Sequence, residues 1–356
     1  MVSGQQLLRA LIKLCKSEQI VLANTKDAVI PKEECGSGTT PLILTCRDGY
    51  TDMILWLLNN EVDVDYYKDD RVTALNMACC KGYSAIVSML LEKNSNVDIC
   101  EKNGCSPLLM ASQKGYTYIV RLLLKKNPNV DLCNNNGNSP LCYWQVRMDI
   151  LIYNQGVTAL SFACEGGYLD IVNMLLEKNP NIDLCDTNGS SPMFKASING
   201  HTDIVRMLLQ RNPCVDLCDL NGLSPLLAAS MKGHIDIVRL LLQKNHKVDV
   251  CCIHGFSPLL VATMGGHTNI VSCLLVHHAN INLTKEDGTT PLFYACELGH
   301  SDIVLLLLGK GADTGICRLD GKFPLNIAID NGHRSVINMM KNHILVHALL
   351  VLIGYI

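Results

Sequence analysis

The chain has 356 residues, of which 48% are apolar and 18% are charged, so it can bury a large core and is not intrinsically disordered. Only 5% of the residues are aromatic, and the expected core is therefore aliphatic. The net charge of −3, with no basic run longer than a pair of residues, argues against a nucleic-acid partner.

The first predicted element is an amphipathic helix with a linker, over residues 1–36. Arg9, Lys13 and Lys16 interrupt its apolar stretch, whereas an export signal has an uninterrupted apolar core. We therefore expect a cytoplasmic protein whose 18 cysteines stay reduced.

From residue 40 onward, a Ser/Thr-Pro/Ala-Leu/Met tripeptide recurs, with Phe-Pro-Leu as a close variant at the end. Every step between copies is 33 residues, except one step of 19 between Pro140 and Ala159. A Pro at this place suits a helix start, and a glycine eight residues later suits the end of that helix. The middle residues are Pro41, Ala74, Pro107, Pro140, Ala159, Pro192, Pro225, Pro258, Pro291 and Pro324.

After each turn glycine, an amphipathic run predicts a second helix, as in residues 236–243. This helix is expected to end in a left-handed residue, which is Asn in five repeats and Gly311 in another. The asparagines are Asn94, Asn127, Asn179, Asn212 and Asn245.

Four features together resemble the ankyrin repeat: the period, the Pro-Leu helix start, the Gly-His turn and the Ile-Val-x-Leu-Leu-Leu run. The resemblance covers about residues 37–343. It implies an all-α solenoid of stacked helix pairs with hairpin-like loops and a concave groove. The family's His, two places after the Pro, is absent, and residues such as Leu227 and Phe293 predict apolar packing there instead.

The spacing predicts three full repeats over residues 37–137 and six over 157–343. Residues 138–156 form too short a unit, which we interpret as a truncated repeat. Because a repeat is stabilised mainly by its neighbours, we expect the stack to be interrupted or kinked there. An error in the sequence is the alternative.

The apolar tail, residues 344–356, is shorter than the roughly 17–25 residues needed to span a bilayer. We expect a helix folded back over the end of the stack. The alternatives are a membrane anchor and a truncated reading frame.

Recurring polar residues are interpreted as parts of the scaffold. Cys100, Cys133, Cys185, Cys218, Cys251 and Cys317 share one slot, where we expect small buried side chains that are too far apart to form disulfides. A slot filled by Tyr or His after the turn glycine predicts packing and turn hydrogen bonds. We expect no catalytic residues, no cofactor, no small-molecule substrate and no metal site.

In the ankyrin family, partners bind at loop tips and at the end of the first helix, and several of these positions are apolar in this chain. The alternative is that these side chains pack against neighbouring tips. Equivalent positions in earlier repeats are polar, such as Lys102, Gln113 and Lys114. The candidate partner-binding residues are Leu220, Leu223, Met231, Ile253, Phe256, Met264, Leu298 and Leu319.

The sequence therefore predicts a non-enzymatic scaffold or adaptor that binds a protein or peptide through the groove and the loop tips. The alternative function is a regulatory subunit or organiser that is tethered to a membrane by residues 344–356.

Overall fold

The structure is a computed structural model that describes residues 40–352, except for 61, 68–69, 135–155 and 245–246. The chain divides into an N-terminal unit, Met1–Thr187, and a C-terminal unit, Asn188–Ile356. Within the described ranges the only regular elements are helices, together with a single β-bridge between Cys133 and Thr158. The predicted all-α repeat class is therefore confirmed. The helix predicted within residues 1–36 lies outside the described residues.

The N-terminal unit contains four helix pairs in its described part. Each first helix contacts both its own second helix and the first helix of the next pair, so the pairs stack in two layers. The helices are α1 (Pro41–Asp48), α2 (Thr51–Leu58), α3 (Ala74–Lys81), α4 (Ser84–Glu92), α5 (Pro107–Gln113), α6 (Thr117–Leu124), α7 (Ala159–Gly166) and α8 (Leu169–Leu176).

The described part of the C-terminal unit contains five helix pairs that stack in the same way. The helices are α9 (Pro192–Ile198), α10 (Thr202–Leu209), α11 (Pro225–Lys232), α12 (Ile235–Leu242), α13 (Pro258–Met264), α14 (Thr268–Val276), α15 (Pro291–Leu298), α16 (Ser301–Gly309), α17 (Pro324–Asp330) and α18 (Arg334–Leu352).

The first helices begin and end for local reasons. At the start, a Ser or Thr side chain accepts a hydrogen bond from the backbone N–H three residues on, as Ser224 does from Leu227. At the end lies the turn glycine, such as Gly233 with φ of 82°, where a side chain would be strained. The His267 ring of the next repeat covers that glycine, and its Nε2 lies 3.3 Å from the carbonyl oxygen of Met231. The predicted role of the Tyr/His slot is thus confirmed in this repeat.

The second helices bury the face that the sequence predicts. In α12 the buried residues are Ile237, Val238, Leu241 and Leu242, as expected for one stripe of an amphipathic helix. Left-handed residues follow these helices, with φ between 51° and 59° at Asn94, Asn127, Asn179 and Asn212, and 83° at Gly311. Asn245 lies outside the described residues. The predicted apolar replacements for the family His are buried at Ile43, Leu109, Leu227, Leu260 and Phe293.

The loop from each second helix to the next first helix is a hairpin-like finger, and neighbouring fingers are tied together by hydrogen bonds. The Asp98 carboxylate accepts a hydrogen bond from Asn129 N–H at 2.9 Å, and Asp249 accepts one from Asn280 at 3.1 Å. Aspartates at this slot can therefore fix the next finger, which supports their interpretation as parts of the scaffold.

The stack of the N-terminal unit continues past residues 138–156, which differs from the predicted interruption. Helix α7 packs on α5 and α8 packs on α6, as adjacent pairs do elsewhere. The Tyr168 ring covers Gly115, and Asn181 N–H donates to the Asp131 carboxylate at 3.0 Å. The repeats that begin at Pro107 and Ala159 are therefore direct neighbours.

The short unit is better described as an insertion at one finger tip. Gly156 N–H donates to the Asn134 carbonyl at 2.7 Å, and Val157 N–H donates to the Asn134 side chain at 2.9 Å. In an uninterrupted finger, Gly222 and Leu223 make the same two bonds to Asp219, at 2.9 Å and 2.8 Å. Residues 135–155, which lie outside the described residues, thus stand where other fingers have two residues.

The C-terminal tail continues the last second helix. Helix α18 runs without interruption from Arg334 to Leu352, so its described part does not fold back over the stack as predicted. Lys341 is exposed where the earlier second helices bury a leucine, such as Leu308.

Candidate partner-binding surface

The candidate residues at the finger tips are strongly exposed in the C-terminal unit. Leu220 is 69% exposed, Ile253 is 59% exposed and Leu319 is 81% exposed. These three residues occupy the same slot in different fingers, so we call them, together with Glu286 in the remaining finger, the finger row. Water-exposed large apolar side chains at equivalent places of a regular scaffold are typical of interaction surfaces.

The finger row stands on a rigid base. Leu220 N–H donates to the Asn188 carbonyl at 2.8 Å, and Ile253 N–H donates to Asn221 at 2.9 Å. Leu319 N–H bonds to the Asp287 carbonyl of the preceding finger at 2.8 Å. Because the backbone of each of these three apolar residues is bonded to the finger before it, their side chains project from fixed positions.

A second set of candidates lies where the first helices end, and we call Met231, Met264 and Leu298 the turn row. All three side chains are exposed. The carbonyl oxygens of Met231 and Met264 lie 3.3 Å and 3.5 Å from ring nitrogens of the following repeats, which fixes the backbone beneath the exposed side chains.

Leu223 and Phe256 are half-buried, which separates them from the exposed residues of the two rows. The ammonium of Lys285 lies 5.0 Å from the centre of the Phe256 ring and 5.9 Å from that of Tyr294. Phe256 therefore contributes to packing between fingers. Six of the eight predicted residues are thus exposed and two are partly covered.

Charged residues on the last two fingers are paired with one another, a feature that the sequence did not indicate. Lys285 bonds to Asp287 at 2.9 Å, and Lys322 bonds to Asp330 at 2.8 Å. Arg318 bonds to Asp320 and lies 3.7 Å from Glu297, with its guanidinium 4.7 Å from the centre of the Phe293 ring. The cations of these fingers are therefore already neutralised.

The Asp287 carboxyl is perturbed by this pairing. Partial burial raises its pKa, but hydrogen bonds from Thr289 and from the Lys285 ammonium outweigh that effect and bring the pKa to about 2. The same bond to Asp287 raises the pKa of Lys285. Both groups are charged at neutral pH.

Among the exposed apolar residues on second helices that sequence reasoning missed are Val276 and Leu305 in the C-terminal unit. Leu305 stands where Arg206 and Arg239 lie in other repeats, and that exchange was the signal that could have identified it. Neither residue belongs to the finger row or the turn row.

The cysteine slot differs from the sequence expectation. Cys133 and Cys317 are exposed and Cys100, Cys218 and Cys251 are half-buried, rather than buried. The reason is that the slot lies at the base of the finger, where the Cys251 thiol donates to the carbonyl of Asp249 at 3.4 Å. Cys46, Cys79, Cys164 and Cys296 share a second slot, which is buried. Burial raises the pKa of Cys46 and Cys296 to about 12, so these thiols stay protonated at neutral pH.

Two searches for other kinds of site gave no candidate. Among the residues that the structure describes, no three His, Cys, Asp or Glu side chains are grouped so that they could hold a metal ion. Within the same residues, no helix combines the length and the apolar character that crossing a bilayer requires.

The chain is a helical repeat protein, because its helix pairs recur with a 33-residue period and stack on one another. Fingers join the pairs, and exposed side chains lie on the fingers and turns. The family model described as ankyrin repeats (3 copies) matches residues 4–99, 93–184, 160–252, 213–284 and 245–316. The chain therefore belongs to the ankyrin-repeat family, whose repeats are generally modules for protein–protein interaction. A search of curated proteins finds no match.

Proposed function

We propose that the chain is a non-enzymatic scaffold or adaptor of the cytosol, which binds a protein or peptide through the finger row and the turn row. The observation that carries this proposal is the exposure of Leu220, Ile253 and Leu319 at one repeated slot. Side chains with most of their surface in water add little to the stack beneath them, whereas large apolar residues are favoured at the centres of interfaces.

The N-terminal unit supports the proposal by contrast. Its corresponding finger residue Lys102 is exposed and polar, and its first helix α5 ends at Gln113 and Lys114. The same fold therefore does not require apolar residues at these places. Their presence in the C-terminal unit is a property of its surface, not of the repeat.

The test is a full-length chain that carries Leu220→Asp, Ile253→Asp and Leu319→Asp, compared with the native chain by cross-linking capture of partners. We expect the variant to lose the captured protein while its urea unfolding midpoint stays unchanged, because all three side chains are exposed. Lys102→Asp in the N-terminal unit is the matched surface control and should retain capture. Equal capture by the triple variant and the native chain would falsify the proposal.

A core truncation separates lost binding from lost folding. Leu241 is fully buried in α12, so Leu241→Ala should lower the free energy of unfolding by about 2–5 kcal/mol. Substitutions at Leu223 or Phe256 are less suitable for testing binding, because both residues are half-buried and Phe256 packs under Lys285. A triple variant that unfolds like Leu241→Ala would show that the finger row has a structural role instead.

A second candidate function is tethering of the scaffold to a membrane surface. The observation that favours it is the exposure of Leu345, Val346 and Leu349 on the part of α18 that extends beyond the repeats. Fractionation of a tagged full-length chain beside one that ends at Asn342 tests it. Tethering predicts sedimentation with membranes that is lost on truncation, and equal sedimentation of both chains contradicts it.

A further inference from the structure

The finger row has a polarity pattern that its apolar members alone do not show. Leu220, Ile253, Glu286 and Leu319 occupy one slot in four successive fingers, so a carboxylate interrupts the apolar row at its third position. Stacked helices lie about 8–10 Å apart, and equivalent side chains in neighbouring repeats are spaced by about that distance. The row therefore presents two apolar side chains, one acidic side chain and one apolar side chain at nearly equal intervals.

Glu286 differs from the other charged groups of the last two fingers. It is exposed, and within the described residues no cation lies at ion-pairing distance from it. The neighbouring Lys285 is bonded to Asp287, and the Arg318 of the next finger is bonded to Asp320. Because the cations around it are neutralised by other carboxylates, Glu286 is available to a cation supplied by a partner.

The spacing of the row limits which backbone conformations of the partner can place a side chain at every position of the row. In an α-helix, residues seven positions apart project from nearly the same face and are separated by about 10.5 Å along the axis. In a β-strand, about three residues cover the same distance, but side chains an odd number of positions apart point to opposite faces. A helix with one contact per heptad therefore keeps all four contacts on one face at close to the spacing of the row, whereas a strand would miss alternate ones. A polyproline II segment also repeats one face every three residues, at about 9.3 Å, and is the alternative that the experiment tests.

We propose that the finger row binds an amphipathic helix of a partner protein, with apolar residues at one position of the first, second and fourth heptads and a Lys or Arg at that position of the third. This inference rests on the proposed function and specifies its partner. The apolar residues cover Leu220, Ile253 and Leu319, and the cation pairs with Glu286.

The experiment uses the purified full-length chain and synthetic four-heptad peptides on an alanine- and glutamine-rich helical background. The first peptide carries Leu in the first, second and fourth heptads and Lys in the third. The second peptide has Glu in place of that Lys. Fluorescence anisotropy measures the affinity of each peptide for the native chain, for Glu286→Gln and for Glu286→Lys.

The native chain is expected to bind the Lys peptide more tightly than the Glu peptide, and Glu286→Lys is expected to reverse this preference. Removal of the charge in Glu286→Gln should weaken binding of the Lys peptide by about two- to five-fold, the size expected for an exposed ion pair. The preference should also shrink as salt concentration rises.

Three results would overturn the inference. The first is a preference for Lys that is unchanged in Glu286→Lys, and the second is a lack of binding by either peptide. The third is tighter binding of a proline-rich peptide with Leu at every third residue, which would identify a polyproline partner in place of a helix.

The Leu220→Asp and Ile253→Asp variant keeps this outcome distinct from a failure of the proposed function. If it weakens both peptides equally while no charge preference exists, the finger row remains a binding surface and only the helix pattern is wrong. If it changes neither peptide binding nor partner capture, the proposed function itself fails.

Discussion

In the N-terminal unit, tyrosine rings cover Gly49, Gly82 and Gly115, as the Tyr116 ring covers Gly82. In the C-terminal unit, histidine rings cover Gly200, Gly233, Gly266 and Gly299, as the His267 ring covers Gly233. The buried slots agree more closely, since Leu123 in α6 and Leu241 in α12 are both fully buried leucines. The finger tips agree least, because the first unit has Lys102 where the second has Leu220, Ile253, Glu286 and Leu319. Variation between the units thus increases as contact with the neighbouring repeat decreases.

This gradient has a physical cause. A leucine enclosed by two helix pairs cannot change without leaving a cavity or a clash. The ring slot needs only a flat side chain over the glycine, which either ring provides. A finger tip such as Leu220 is held to its neighbour by a backbone hydrogen bond, and its side chain is mostly exposed, so the side chain can change to suit a partner.

The largest expected effect tests whether both rings constrain the turn in the same way. In Gly82→Ala the new Cβ would lie 2.7 Å from Cζ of Tyr116, and in Gly233→Ala it would lie 2.8 Å from Cε1 of His267. Each variant combines a strained left-handed alanine with an overpacked contact, so each should lose about 2–4 kcal/mol. Urea unfolding of the full chain, followed by circular dichroism, measures this loss.

Gly332→Ala is the matched control for the ring contact. Its φ is 72°, but nothing lies within 4 Å of the added Cβ, so it should lose only about 1–2 kcal/mol of backbone strain. Equal losses in all three variants would show that the rings add no constraint. A loss at Gly82 but not at Gly233 would show that the histidine yields where the tyrosine does not.

The next effect concerns residues 135–155, which distinguish one finger of the N-terminal unit from the regular fingers of the C-terminal unit. We expect that replacing this segment by Leu-Asn, the two residues at 220–221, leaves the stack of α5 and α6 on α7 and α8 intact. The shorter loop should raise the free energy of unfolding by up to about 2 kcal/mol, because less entropy is lost on closing it. Urea unfolding and helix content by circular dichroism measure the outcome.

Asn134→Ala and Asp219→Ala provide the control, since the two side chains accept the corresponding hydrogen bond in an interrupted and a regular finger. Each should cost about 1 kcal/mol if the two fingers have the same base. A lower unfolding midpoint after the segment is replaced would contradict the insertion model, because it would mean that residues 135–155 stabilise the stack.

The repeats were predictable because their determinants are local. Ser224 and Pro225 start a helix, Gly233 ends it, and the spacing of Ile237 and Leu241 defines the buried face of the next one. None of these signals depends on distant parts of the chain. The helix pairs could therefore be placed from sequence without knowledge of the neighbours.

The insertion was not predictable in the same way, because Ser139-Pro140-Leu141 carries the local signal of a helix start. Only contacts between repeats show that the Ala159 repeat packs on the Pro107 repeat. One such contact is that of the Tyr168 ring with Gly115. For the candidate surface, the period identified the slots at the finger tips. It did not reveal that Phe256 lies under Lys285, because cation–aromatic contacts depend on how neighbouring fingers meet.

The smallest expected effect concerns acid sensitivity in the C-terminal unit. The pKa of Asp287 is lowered to about 2 in the folded chain from an ordinary value of 3.8, so its charged form stabilises the fold. That contribution is complete above about 3.8 and is lost as pH falls through about 2. The native chain should therefore lose stability more steeply than Asp287→Asn over this interval, as measured by urea unfolding at several pH values.

The effect is small because the side chain of Asp287 is 40% exposed and solvent screens its pair with Lys285. Asparagine is the suitable replacement, since its oxygen can still accept the hydrogen bond from Thr289 N–H while the charge is removed. Parallel pH profiles for the two chains would show that Asp287 is not coupled to folding, and that the ion pairs of the last fingers act on surface charge alone.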